Sequence, residues 1–385
     1  MTRRRLGVGA ALVLGEVVRG DVAVEDGAVV ELGLPPAGSD LAVPGLIDLQ
    51  VNGYAGIEAG SASVGELEEM GRALARDGVL AYQPTLISDD PGEMLAALAR
   101  LGELARRRGR RGAGAPSAAQ AGFERGRGGG AHVLGVHVEG PFLARERAGA
   151  HPLGRLIAPD RTLAEAMLAA APVSMVTLAP ELPGGIELVS LLAAAGVVVS
   201  LGHSSADAEQ ARRAVAAGAT AVTHLFNAMA PVSARAPGLA AAALDDRRVH
   251  VQIIADGVHV AGELVRLAFA AAGERCSLVT DCTRLAGLGA GRDRGGAPLV
   301  SDGSAARRPD GTIAGGVFSL LHCVRNLTGW SVGLEEALAA VTARPAAVLG
   351  RDDVGVLRPG GPADLVVLDD NLELRSVILE GCPLG

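Results

Sequence analysis

The chain has 385 residues, and its 35 basic residues are all arginine, set against 43 acidic ones for a formal net charge of −8. That charge argues against a general affinity for nucleic acid, and the lack of lysine rules out a Schiff base, a lysine phosphate anchor of the P-loop type and a carboxylated lysine bridging two metals. The length exceeds the usual ~100–200 residues per domain yet suits one α/β barrel as well as two domains, and the apolar, aromatic-poor composition suits helices packed on a sheet.

The opening MTRRRLGVGAALVLGE places arginines before a short apolar run, in the manner of a secretory signal, but no small-x-small cleavage site follows before Glu16. The alternating VVRGDVAVEDGAVVEL that continues it reads as strands joined by a turn at Asp26-Gly27. Residues 1–43 are therefore expected to begin a small β-sandwich domain. No charge-free apolar stretch of about 20 residues occurs, so a spanning helix is not expected; the cysteine pattern carries the expectation of a cytoplasmic chain without membrane partners.

After Pro44, short β-rich runs alternate with alanine-rich helical stretches, the pattern of parallel strands with helical crossovers. The candidate strands are Leu46–Val51, Val79–Ile87, Val133–Glu139, Val173–Ala179, Val197–His203, Ala221–Phe226, Val249–Ala255 and Ser277–Thr280, eight in all. An open doubly wound sheet would show the same local pattern, but Glu139, His203, His224 and Asp281 each fall at or just past the C-terminal end of a different strand. A (β/α)₈ TIM-like barrel over residues 44–354 gathers those ends around one mouth. The tail, 355–385, again reads as short strands and completes the small β domain.

The arginine-rich stretch 106–130 is low in complexity and reads as a surface loop, and the cluster Arg307–Arg308 likewise reads as solvated loop charge. A GxGxxA-like match at 126–131 precedes a strand instead of following one, which is the wrong place for a dinucleotide fingerprint. Cys276, Cys282, Cys323 and Cys382 form no CxxC pair and read as ordinary buried thiols of a reducing compartment.

In GVHVEGPF, Glu139 closes an apolar strand and needs a partner, either a metal or a hydrogen-bond donor. His203 in VSLGHSSAD and His224 in THLFNAM end the next-but-one strand and the one after it. Two imidazoles and a carboxylate on neighbouring strand ends make the donor set that binds a divalent metal and leaves a position open to water. Asp281, in SLVTDCT on the last strand, stands where a carboxylate can take a proton from such a water and return it to a leaving amine.

In series, PGLIDLQVNG, PTLIS, GVHVEGPF, VTLAPE, GHSSAD, THLFNAM, IIADGVHV and LVTDCT resemble the N-acetylglucosamine-6-phosphate deacetylase group of the amidohydrolase superfamily, over about Val43 to Gly361. The resemblance implies that Glu139, His203 and His224 hold one metal ion per subunit, with Zn²⁺ first and Fe²⁺, Co²⁺ or Mn²⁺ as alternatives, and that Asp281 is the catalytic acid and base. It implies further that His151 lies near the scissile carbonyl, and that Ala150, Asn227, the Ala228 backbone, Asp256, His259, Ile313, Ala314 and Gly315 contact a phosphorylated amino sugar. By the same matching, Arg235 reaches a phosphate in the neighbouring subunit of a homodimer. The implied activity is hydrolysis of N-acetylglucosamine 6-phosphate to glucosamine 6-phosphate and acetate. An amidohydrolase acting on another N-acyl sugar or an N-acyl amino acid is the alternative, and a non-catalytic barrel a third reading.

Two departures bear on this. Where many amidohydrolases carry His-x-His after the first strand, this chain has Gln50-Val51-Asn52, which points to a mononuclear site. The small-residue loop Ile313-Ala314-Gly315-Gly316 lacks the serine usual after the glycine, and the segment 287–309 departs further, so the mouth is expected to differ in shape.

Overall fold

All six positions of Leu46–Val51 (β1) are buried, and so are all eight of Val79–Leu86 (β2), as expected of strands covered on both faces. The computed structural model describes residues 3–108, 130–288 and 298–384. In it β1 and β2 begin a run of parallel strands that continues through Val136–Glu139 (β3), Val173–Leu178 (β4), Val198–Leu201 (β5), Ala221–Val222 (β6), His250–Ile253 (β7) and Cys276–Leu278 (β8), each paired with the next. A helix follows every strand: Val64–Arg76 (α1), Pro91–Arg108 (α2), Arg161–Ala170 (α3), Gly185–Ala194 (α4), Ala208–Ala216 (α5), Gly238–Asp245 (α6), Gly262–Ala272 (α7) and Leu320–Gly329 (α8). Local sequence explains several starts, since Ser63 with Glu66 and Asp207 with Gln210 form capping boxes at α1 and α5, while Asp160 and Ser319 cap α3 and α8.

The barrel is nearly closed, and its last seam is stitched by groups outside the ladders. At the lower end the Ile47 and Leu278 amides donate to the carbonyls of Val341 and Ala340, each at 2.8 Å. At the upper end Val51 bridges Cys282 in parallel. Between them Asp48 accepts from the Thr280 hydroxyl at 2.5 Å and from the amides of Thr280 (3.3 Å) and Gln50 (3.1 Å). Burial pushes the Asp48 carboxyl up to about 7, against its hydrogen bonds. Its contribution to stability is thus full below the ordinary carboxylate pKa of 3.8 and is lost as pH rises through about 7. Asp48→Ala strips acceptors from three donors in a buried seam and is expected to cost about 2–4 kcal/mol, read as a lowered thermal midpoint. Asp48→Asn, which keeps one acceptor oxygen, should lose less; an unchanged midpoint in Asp48→Ala would place the closure elsewhere.

The expected strands are found, but several are shorter. The expected Ala221–Phe226 ends as β6 at Val222, because His224 (φ 26°), Phe226 (φ 75°) and Ala228 (φ 51°) take left-handed backbone that no ladder accommodates. The expected Val133–Glu139 is two strands, His132–Val133 and β3, broken where Gly135 turns to φ 105°.

Both chain ends join in two sheets that face each other. One carries Cys382–Pro383, Leu374–Leu379, Leu365–Leu368, Leu41–Pro44, Ala10–Val13 and Glu16–Arg19 in that order, the other Arg4–Arg5, Asp21–Glu25 and Ala28–Leu34. Val22, Val24 and Val29 of the second pack on Ala11, Leu365 and Ile378 of the first. A small antiparallel sheet of Val300–Ser301, Ala306–Arg307 and Ile313–Gly315 lies between β8 and α8.

The stretch 109–129, most of the expected surface loop and of the glycine match, lies outside the described residues, as does 289–297; α2 extends through Arg108, past the loop's expected start. Cys276, Cys282 and Cys323 are free and buried, while Cys382 is half-buried on its end strand, so burial does not extend to that thiol. Among the described residues no helix is long and apolar enough to cross a membrane.

Candidate active site and metal centre

Four strand exits supply the centre. Glu139 is the last residue of β3, while His203 and His224 come two residues past β5 and β6 and Asp281 three past β8. The last three hold left-handed backbone, φ 48°, 26° and 49°, a conformation that residues with a Cβ seldom adopt and that turns each side chain off its strand.

Glu139 Oε1 lies 2.9 Å from His224 Nε2 and 3.3 Å from His203 Nε2, and the two nitrogens are 3.1 Å apart. A tetrahedral ion with bonds of about 2.0–2.1 Å separates its ligand atoms by about 3.3 Å, so this triangle fits a divalent cation. All three residues are 5% exposed or less. Burial opposes the Glu139 carboxylate, yet its close contacts with His151, His203 and His224 hold its pKa well below the usual range. Burial likewise opposes the His224 imidazolium, but Glu139 outweighs it and raises the pKa. The site therefore favours positive charge between these groups, which is the charge a cation brings.

Ring nitrogens can be assigned from fixed partners. His203 Nδ1 faces the Arg147 carbonyl at 2.8 Å, which only accepts, so Nδ1 carries hydrogen and Nε2 presents its lone pair toward Glu139 and His224. His151 is the reverse case, because the Ser88 amide, which only donates, meets its Nδ1 at 3.2 Å and the Ser88 hydroxyl meets it at 2.8 Å. Its Nε2 therefore carries hydrogen, 3.5 Å from Glu139 Oε2. Possible ligand atoms of Glu139, His151 and His203 also lie within 4.8 Å of one another. With its Nε2 hydrogen turned toward Glu139, the His151 ring offers this centre a donor. Burial and the neighbouring His203 charge lower the His151 pKa, which keeps the ring neutral.

Asp281 is half-buried. Asn52 Nδ2 donates to its Oδ1 at 2.7 Å, and loss of surrounding water together with the Glu139 charge raises its pKa to about 6. Gln50 Nε2 donates to Glu139 Oε1 at 3.0 Å, and its Oε1 accepts from the Thr223 hydroxyl at 2.7 Å. The two residues that replace His-x-His thus orient the carboxylates of this centre by hydrogen bonds.

These groups open into a cavity of 720 Å³. Of the residues singled out in the sequence, Glu139, Ala150, His151, His203, His224, Asn227, Ala228, His259, Asp281, Ile313, Ala314 and Gly315 line it. Asp256 stands behind its wall, with its carboxylate taken up by the amides of Val258 and His259 and by His259 Nδ1 at 2.6 Å. Arg235 lies on an exposed loop and does not line this cavity. Arg308, expected as solvated loop charge, instead lines the cavity and donates to the Ala150 carbonyl at 3.1 Å, because the small sheet folds over the mouth. Arg284, whose side chain is 3% exposed, also lines it and pairs with Glu58 at 3.1 Å. No local signal in the sequence marks either arginine.

Residues 41–382 match the amidohydrolase family. The chain is 37% identical over 362 residues to the N-acetylglucosamine-6-phosphate deacetylase of Bos taurus, spanning 89% of this chain and 83% of that protein. It is 33% identical over 350 residues to the N-acetylgalactosamine-6-phosphate deacetylase of Escherichia coli O157:H7, across 89% and 87% of the two chains. A solved structure of a variant N-acetyl-D-glucosamine-6-phosphate deacetylase from Mycobacterium smegmatis, in complex with N-acetyl-D-glucosamine-6-phosphate, is similar at a TM-score of 0.88 and 32% identity, covering 100% of this chain and 99% of that one.

Proposed function

We propose, from the premise that this chain belongs to the amidohydrolase family, that it hydrolyses the acetamide of N-acetylglucosamine 6-phosphate to acetate and glucosamine 6-phosphate. The observation that carries the reading is the convergence of Glu139 Oε1, His203 Nε2 and His224 Nε2 at 2.9–3.3 Å in one cavity with Asp281. Identities of 37% and 33% to deacetylases of 6-phosphorylated amino sugars support the substrate class.

Glu139, His203 and His224 would hold one divalent cation, for which Zn²⁺ is our choice, and such a cation supplies Lewis acidity toward the amide carbonyl and lowers the pKa of water toward about 7. The chain's own groups do the rest. His151 donates its Nε2 hydrogen to the carbonyl oxygen, where negative charge develops as water adds to the amide carbon. Asp281, with Oδ1 held by Asn52, takes the proton of that water. As the C–N bond breaks, the carboxyl returns the proton to the nitrogen, so an amine departs and acetate remains. Asn227, Ala228, His259, Ala150 and the Ile313–Gly315 strand present donors and acceptors to the sugar. Asp256 fixes the His259 ring.

Because Arg235 lies outside its own cavity, its role toward the phosphate rests on a second copy of the chain; we take a cytoplasmic homodimer as the working unit. The resemblance to the N-acetylgalactosamine-6-phosphate enzyme favours the C4 epimer as a second reading.

The test is acetate release from both N-acetylhexosamine 6-phosphates and from unphosphorylated N-acetylglucosamine, with enzyme stripped by chelator and then restored with zinc. Metal-dependent turnover preferring N-acetylglucosamine 6-phosphate is the expected result. A preference for the galactosamine epimer would establish the second reading, and metal-dependent turnover of none of these would move the substrate to another N-acyl compound.

A further inference from the structure

We propose that Glu181 and Arg147 are positioning residues for His203, working through Ser204 and Ser205 to keep its imidazole aimed at the metal centre. The inference rests on the metal-holding role proposed above for His203.

His203 has left β5 and holds φ 48°, a conformation that persists only where the surroundings over-determine it. Three loops do so. From the loop after β3, the Ala144 amide donates to the His203 carbonyl at 3.0 Å and the Arg147 carbonyl accepts from His203 Nδ1 at 2.8 Å. From the loop after β4, Glu181 Oε2 accepts from the Ser204 hydroxyl at 2.7 Å and Oε1 from the Ser205 amide at 2.6 Å. From the loop after β6, the Ala228 carbonyl accepts from the Ser204 amide at 3.1 Å.

Arg147 closes the circuit, because its Nε donates to the Ser205 hydroxyl at 2.9 Å while its own carbonyl holds the His203 ring. Glu181 grips the backbone just after His203, and through Ser205 it also fixes the side chain of the residue whose carbonyl sets the His203 tautomer. Charge-assisted bonds to a carboxylate are short and strong, which suits a clamp. Neither side chain lines the catalytic cavity. Glu181 instead faces a separate surface cleft of 270 Å³ with Gln210 and Arg213. Groups that hold a metal-bound histidine from behind in this way typically change metal affinity 10–100-fold when removed.

The experiment measures zinc dissociation constants by chelator competition on the whole chain, for the parent, Glu181→Ala, Glu181→Gln, Arg147→Met and the double variant Glu181→Ala/Arg147→Met, with visible spectra of the cobalt-loaded forms. Each alanine or methionine variant is expected to weaken zinc about 10–100-fold and to shift the cobalt spectrum. Glu181→Gln, which keeps an acceptor, should recover part of the loss. The double variant should lose less than the two singles combined, because both act through one imidazole. Constants within about twofold of the parent in both single variants, or losses that combine in full, would overturn the proposal. If Glu181→Ala fails to fold, Glu181→Gln and Arg147→Met are judged by the same criteria. A parent chain that binds no zinc would sink the metal reading itself, and this inference with it.

Discussion

Asp281→Asn is expected to retain its metal and most of its affinity for the phosphorylated sugar while kcat falls by about 10²–10⁴-fold, the range that one positioned acid–base group contributes. The substitution keeps the shape of the side chain and its bond from Asn52 but removes the group that accepts the water proton. Metal retention follows from geometry, since the three proposed ligands are Glu139, His203 and His224, and the bonds among them do not pass through Asp281. Elemental analysis and steady-state kinetics on the same preparation separate the two properties. Turnover at the parent rate would remove Asp281 from the mechanism; loss of metal with loss of turnover would make it a ligand.

The parent enzyme carries a companion signature in its pH profile. Asp281 must be ionised to accept a proton, and its surroundings raise its pKa to about 6. A bound cation nearby favours the carboxylate and draws that value down. The acid limb of kcat/KM should therefore lie at or below about pH 6, with activity lost as pH falls through it and the proton acceptor filled.

His203→Ala or His224→Ala should release the metal and lower turnover by about 10³-fold or more, because the centre then lacks several kcal/mol of Lewis acidity. The loss should be one of occupancy, visible by elemental analysis before any assay. Each alanine also leaves the Glu139 carboxylate short of a partner in a buried place, so added zinc should not fully restore the site. His151→Ala provides the contrast, since the His151 Nε2 hydrogen marks it as a donor: its metal content should stay near that of the parent while turnover drops. Full metal in His224→Ala together with depletion in His151→Ala would replace His224 by His151 in the ligand set.

The strand count and the identity of the central residues were legible in the sequence because both are local properties. An apolar run such as VSLGH or SLVTD shows a buried strand and the polar residue at its exit within a few positions, and a parallel barrel brings every such exit to one mouth. Glu139, His203, His224 and Asp281 could be picked out in that way, and the resemblance added His151 and the residues proposed to contact the sugar.

Other features depend on residues distant in the chain. Only the fold decides that Asp48 and Thr280, 232 positions apart, stitch the last seam of the barrel. The fold also turns Arg308 from apparent loop charge into a cavity wall, sets Asp256 behind His259, and leaves Arg235 outside the cavity. The proton positions on His203 and His151 were equally hidden, since the Arg147 carbonyl and the Ser88 amide define them across 56 and 63 positions. Strand periodicity and strand exits are written in neighbouring side chains and can be read one segment at a time. Hydrogen-bond partners across the barrel mouth exist only once eight segments have packed, so the roles that depend on them belong to the tertiary structure alone.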